Sequence, residues 1–232
     1  MSEEKDHIDT LLNTLSNFNI KINEGLSNDD FLKIQGSFFD KESSWFASQE
    51  SRPSFTESRL QKIATIPQNY MKPHHSGVLN ILDVGTGTGV LIKYIKDTFS
   101  NTCIHALDLS SNQLKVVKLQ HPDVEIYQAD VSNFINPVVY DIIYCNACFG
   151  NLLNQNSALK NMSNMLSNNG LIVISHPLGS SFVESLHQSN QVIVPNTLPT
   201  SIEKVEELIN GTNLTLAELI DIQDLYICIL KR

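Results

Sequence analysis

Arginine is scarce in this chain: Arg52, Arg59 and Arg232 are the only three in 232 residues. The 16 lysines and arginines face 25 acids, the formal net charge is -9, and no stretch gathers the cations into a patch. Binding a phosphate backbone depends on cationic neutralisation, so a nucleic-acid partner is not expected. A long apolar run is also missing, which removes a membrane-spanning helix from the expected features. The four cysteines follow no framework spacing, which argues against a disulfide-stapled secreted scaffold and for a reducing compartment. Cys145 and Cys148 form one C-x-x-C. Neither Cys103 nor Cys228 completes a zinc-ligand set with it, and the pair falls at a strand end rather than at the helix start that activates a thiol. The adjacent His74 and His75 lack a third ligand, so no metal is expected. The acidic opening, with Glu3, Glu4 and Asp6, is unlike a presequence, and a cytoplasmic location is the expectation.

What the chain does have is 41% hydrophobic residues with ordinary glycine and proline content, enough to close one sizeable core. Its most informative stretch is 79–90, Leu-Asn-Ile-Leu-Asp-Val-Gly-Thr-Gly-Thr-Gly-Val. An apolar strand runs into Asp83 and then into glycines at 85, 87 and 89, where a helix opens. Glycines let the backbone turn sharply and approach a ligand with no Cβ in the way. A dinucleotide fingerprint, G-x-G-x-x-G, would need glycine where Val90 stands. The acid, any residue and Gly-x-Gly-x-Gly series instead resembles the S-adenosyl-L-methionine loop of class I methyltransferases of the small-molecule type.

The rest of the chain continues in step with that resemblance. A helix over 90–99, a buried strand over 103–108, a helix over 112–120 and a strand over 124–128 follow the loop. Asp108 closes the second strand and Asp130 follows the third. In an open parallel sheet ligands lie beyond the carboxyl ends of the strands. By the resemblance, Asp83, Gly85, Thr86, Gly87 and Gly89 form the cofactor loop, and Asp108, with Leu109 beside it, receives the ribose hydroxyls. Asp130 accepts from the adenine amino group, with Ala129 next to it. Taken singly, an acid after a strand is an ordinary turn former or helix cap.

The fourth strand, 140–146, leads into Ala147, Cys148 and Phe149. By the resemblance this strand end faces the methyl group and its acceptor, with Asn146 nearest the methionine part of the cofactor. A turn asparagine is the other reading of Asn146. The Asp/Asn-Pro-Pro-aromatic signature of amino-nitrogen methylation and the Pro-Cys of cytosine methylation are both absent here. Oxygen or carbon of a small organic acceptor is therefore favoured, reached by direct in-line transfer. After a fifth strand, 171–175, His176 is the candidate base should the acceptor have to lose a proton. A helix cap, or substrate binding without proton transfer, is its other reading.

Before the first strand, residues 1–77 read as a helical lid segment on the methyltransferase domain at 78–232. Residues 1–23 carry Ile8, Leu11, Leu12, Leu15 and Phe18 at helical spacing. Phe39, Asp40 and Trp45 resemble the aromatic approach to the cofactor in quinone-type methyltransferases. Phe39 and Trp45, with Phe149, are candidates to line the substrate side, though aromatics packing a helix onto the sheet is an equal reading. Downstream, residues 157–166 read as a helix stopped by a left-handed cap at Asn168, Asn169 and Gly170. Thr200 and Glu203 read as a capping box, and strands over 214–222 and 225–230 pair across Gln223 and Asp224.

The expected fold is α/β: a doubly wound, seven-stranded, mostly parallel sheet with helices on both faces and a C-terminal antiparallel hairpin. A binding protein that holds S-adenosylmethionine without turnover and, less favoured, an NAD-dependent oxidoreductase are the alternatives to the enzyme. Neither the acceptor nor the oligomeric state is legible in the sequence.

Overall fold

Strand β1 (Leu79–Val84) buries residues on both of its sides, and this decides the layering. Leu82 and Val84 join one apolar cluster, while Leu79 and Ile81 join another. The same alternation holds in β4 (Tyr140–Asn146), β5 (Leu166–His176) and β7 (Leu225–Lys231). Ile143, Ile172 and Cys228 face one way, and Ile142, Val173 and Ile227 the other. Strands apolar on both faces must be covered on both. Burying each such side chain is worth about 1.5–3 kcal/mol.

The computed structural model describes residues 2–18, 27–48, 54–71 and 77–232. With β2 (Thr102–Asp108), β3 (Glu125–Gln128) and β6 (Thr215–Ile222), the sheet has seven strands in the order β3-β2-β1-β4-β5-β7-β6. The first five are parallel to their neighbours, and β7 runs antiparallel to both β5 and β6. The hairpin closes from Ile222 to Leu225 across two residues. The expected sheet and its C-terminal hairpin are thus present.

Helices α4 (Glu57–Thr65) and α5 (Val90–Thr98) cover one face with Leu60, Ile63, Leu91 and Ile95. On the other face lie α7 (Gln155–Met165) and α9 (Ile202–Ile209), through Leu159, Met162, Val205 and Ile209. The remaining helices are α1 (Ser2–Ser16), α2 (Asn28–Lys41), α3 (Ser43–Phe46), α6 (Ser111–Gln120) and α8 (Gly179–Ser189). A Ser27–Asp30 capping box starts α2, satisfying amide groups that would otherwise be left open.

Several boundaries differ from the sequence reading. Helix α1 ends at Ser16, and 19–23 lie outside the described residues, as do His74 and His75. Helix α7 stops at Met165 and β5 starts at once, with a register shift in its pairing to β4 between Tyr140 and Ile142. Within the expected Asn168, Asn169 and Gly170 stretch the left-handed residue is Asn169, at φ 70, now inside β5. Ser201, not Thr200, caps α9 by accepting from the Lys204 amide. No helix among the described residues is long and apolar enough to cross a membrane.

Candidate functional site

The loop after β1 is held from both sides. The Thr86 hydroxyl donates to Asp83 Oδ2 at 2.7 Å, and the Thr86 amide donates to the Leu107 carbonyl at 3.1 Å. Gly85 has φ 62, and a Cβ built there would run into the Cys148 side chain, so both conformation and space require glycine. The Gly87 amide donates to Asp108 Oδ2 at 2.9 Å, while the Ser110 amide donates to Asp108 Oδ1 at 2.8 Å. The loop and the end of β2 are therefore one unit.

A cavity of about 210 Å³ opens over this unit, and its wall brings together Asp83, Gly85, Thr86, Gly87, Asp108 and Leu109. Ala129, Asp130 and Asn146 join the same wall from the ends of β3 and β4. Gly89 does not: it starts α5, and the side chains of Ile92, Val117 and His121 surround the place its Cβ would take. The Ala129 amide is engaged by the Asp108 carbonyl at 3.1 Å, so this residue offers a ligand surface rather than a donor. Asp130 accepts the Ser132 amide on Oδ1 at 3.1 Å, the turn role expected of an acid after a strand, without leaving the cavity wall.

Electrostatically the cavity is unbalanced. Burial pushes the Asp83 carboxyl up to about 7, and the Thr86 hydrogen bond only partly opposes this. Asp108 is raised by burial too, against hydrogen bonds from the Ser110, Gly87 and Leu109 backbone. Two buried acids thus share a cavity that no lysine or arginine lines among the described residues. A buried carboxylate without a counter-charge is costly, and a ligand bringing positive charge and hydroxyl donors would remove that cost.

A second chamber, of about 220 Å³, adjoins the first. Both are bounded by Phe39, Phe46, Val90, Asn146, Ala147 and Asn151. The partition between them is tied to β5: Ala147, left-handed at φ 52, donates its amide to the Ser175 carbonyl at 2.8 Å, and the Ser175 hydroxyl donates to Asn146 Oδ1 at 3.0 Å. Trp45 lines the second chamber, its ring 5.0 Å from that of Phe46 and stacked on His7 at 6.2 Å. Ile193 and Val194, from the turn-rich segment after α8, add to the wall.

Two sequence candidates fare differently here. Phe149 lines neither chamber. It begins a short 3-10 turn with its side chain 1% exposed in the core, so its role is packing. His176 does face the second chamber, but its Nδ1 accepts the Leu178 amide at 3.1 Å and burial pulls its pKa down to about 3. The proton of the neutral ring therefore sits on Nε2, which makes His176 a donor near neutrality rather than the base its position suggested.

Other residues escaped the sequence reading. Gln113, buried on α6, lines the first cavity and donates to the Phe39 carbonyl at 3.4 Å. Gln35, 1% exposed on α2, donates to the carbonyls of Asn151 and Ile193, both at 2.9 Å. Thr88 donates to the Phe46 carbonyl at 3.3 Å. Each ties the N-terminal helices to the cavity side of the sheet. Buried glutamines on otherwise apolar helix faces were the only signal available.

Residues 48–219 match the family model described as a methyltransferase domain. The chain is 33% identical over 119 residues to malonyl-[acyl-carrier protein] O-methyltransferase of Halalkalibacterium halodurans, covering 48% of this chain and 44% of that protein. It spans about half the length of the curated relatives it matches first, 44–56% of them. The fold is shared with the plantazolicin methyltransferase BpumL, at a TM-score of 0.65 and 17% identity over 98% of each chain. It is shared also with the 1,6-didemethyltoxoflavin-N1-methyltransferase of Burkholderia thailandensis, at 0.65 and 14% identity over 91% of this chain and 93% of that one. With the glycine loop, the strand-end acids and most of the sheet inside the matched segment, the chain belongs to the methyltransferase domain family.

Proposed function

We propose that the protein is an S-adenosyl-L-methionine-dependent methyltransferase moving a methyl group to oxygen or carbon of a small organic acceptor. The observation that carries this is the cavity over the glycine loop, where buried Asp83 and Asp108 face a space no described cation enters. Bound there, the cofactor supplies a methyl group activated on a positively charged sulfur. Asp108, held by the Gly87 and Ser110 amides, retains lone pairs for ribose hydroxyls. Asp83 offers negative charge to the methionine end, Asp130 and Ala129 receive the adenine, and Asn146 stands where the two chambers meet.

In this reading catalysis is chiefly placement. The wall at Asn146 and Ala147 holds acceptor and methyl group in line, and correct alignment alone can supply about 7–11 kcal/mol. Phe39 and Phe46 border both chambers and keep water from the reacting atoms. Residues 1–77 act as the lid segment and 78–232 as the methyltransferase domain. The relatives matched first are named O-methyltransferases, which agrees with an oxygen acceptor. The net charge of -9 favours a small molecule over a nucleic acid, and four free cysteines favour a reducing compartment such as the cytoplasm.

Calorimetric titration with S-adenosylmethionine and S-adenosylhomocysteine tests the reading. Micromolar-range binding that weakens at least about tenfold in Asp108→Ala supports it. Failure of the intact protein to bind either compound sinks it. Binding without methyl transfer to any of a broad set of small acceptors would favour the non-catalytic alternative.

A further inference from the structure

The second chamber has a wall chemistry that selects among acceptors. Its described lining contains no lysine, arginine, aspartate or glutamate. Aromatic and aliphatic side chains dominate, among them Leu11, Phe38, Leu60, Phe182, Leu186 and Val194. Arg59, on α4 behind this wall, is committed elsewhere: it donates to the Pro177 carbonyl at 3.0 Å and pairs with Asp224 at 2.5 Å. Among the described residues, two imidazoles are the wall's ionisable groups. His7 is stacked on Trp45, and His176 is 7% exposed with Nδ1 occupied by the Leu178 amide.

That occupancy leaves His176 Nε2–H without a partner among the described residues, on a ring that lines the chamber. A buried donor left unmet costs roughly 1–3 kcal/mol, and native proteins seldom leave one. A ligand oxygen placed against it would meet it. The other polar side chains of the described wall, Thr14, Thr56, Asn146 and Asn151, are neutral too, and neutral donors without a cation compensate little of the cost of burying a full negative charge.

Resting on the reading above, we propose that the methyl acceptor is an uncharged, largely apolar molecule, seated in the second chamber with a neutral oxygen on His176 Nε2–H. Free carboxylates and phosphates are excluded. The carboxylate implied by the name of the malonyl-carrier relatives is therefore the wrong class for this chain, and a phenol, enol, alcohol or neutral carbonyl compound the right one, its proton passing to solvent as the sulfur–methyl bond breaks and the new bond to methyl forms.

Trp45 is the chain's single tryptophan and lines the chamber, so its fluorescence reports occupancy directly. The full-length protein, with and without S-adenosylhomocysteine, is titrated near pH 7 with two matched pairs: 1-naphthol against 1-naphthoate, and dodecan-1-ol against dodecanoate. Saturable quenching or a blue shift by the neutral members, at least about tenfold tighter than by their anions, is expected. His176→Asn, which keeps an acceptor for the Leu178 amide but loses Nε2–H, should weaken the neutral probes about fivefold or more while S-adenosylhomocysteine binds as before. Anions that bind as tightly as the neutral members overturn the proposal, and so does the failure of both neutral probes while S-adenosylhomocysteine still binds. Loss of S-adenosylhomocysteine binding alone, with the neutral preference intact, would fault the cofactor reading and leave the chamber's selectivity standing.

Discussion

Asp40, in the last turn of α2, accepts a hydrogen bond from the Ser110 hydroxyl at 2.6 Å and another from the Asn112 amide at 2.9 Å. Ser110 is also the N-cap of α6, with its hydroxyl accepting from the Gln113 amide at 3.1 Å. Helix α2, which lines the first cavity, thus supplies a capping carboxylate to the helix that follows Asp108. Losing such a cap costs about 1 kcal/mol, and here the loss also releases the α2 contact. Asp40→Ala should weaken S-adenosylhomocysteine about fivefold or more and speed tryptic cleavage in the stretch after α2. Calorimetry and a timed digest check this. Unchanged affinity and unchanged cleavage would mean that Asp40 does not hold α2 against the cavity.

Asp83 makes apo stability depend on pH with a definite sign. Its carboxyl sits at about 7 in the folded chain, against about 4 when unfolded. Between those values the folded state holds the proton and the unfolded state does not, so Asp83 stabilises at low pH and loses that contribution as pH rises through 7. The full effect is at most about 4 kcal/mol. His176, at about 3 when folded, acts oppositely: its contribution is complete above about 6.5 and is lost as pH falls toward 3. Asp108, also raised by burial, adds to the Asp83 slope, and His105, lowered by burial, adds to that of His176, so denaturant titrations from pH 4.5 to 8 should show a small net slope in the wild type. In Asp83→Asn stability should rise with pH, and in His176→Asn it should fall. Parallel curves for all three proteins would refute the assignment.

The contact between Gly85 and Cys148 lends itself to a double-mutant cycle. Gly85→Ala meets both a left-handed backbone and the Cys148 side chain, for an expected loss of about 2–4 kcal/mol. Adding Cys148→Gly, which removes both the Sγ and the Cβ from that position, should recover about 1 kcal/mol or more of it, the steric share, and leave the conformational share in place. Additive losses from urea unfolding would mean that the loop relaxes away from Cys148.

Much of this molecule was legible in its sequence because the relevant signals are local. A strand buried on both faces reads as an apolar run, as in β1, β4 and β5. The glycine loop must carry glycines where φ is positive, and the acids at 83, 108 and 130 mark strand ends by their place in the pattern. What was not legible depends on distant partners. Nothing near Phe149 tells that its ring turns into the core, and only the Leu178 amide decides which nitrogen of His176 carries the proton. Ala129 looked available until the Asp108 carbonyl claimed its amide. The capping of α6 by Asp40 spans 70 residues, beyond any window of helical periodicity. The early start of β5 replaced the expected cap because β4 offered Leu166 a partner at Tyr140.

The partition at Asn146 and Ala147 has a thermodynamic corollary. Both chambers are walled by the same short piece of backbone, tied to Ser175 by two hydrogen bonds, so an occupant of either one stiffens the boundary of the other. Linkage then requires symmetry: whatever factor cofactor contributes to acceptor affinity, acceptor must return to cofactor. The two pockets are thus to be titrated as a linked pair, each in the presence and absence of the other's ligand.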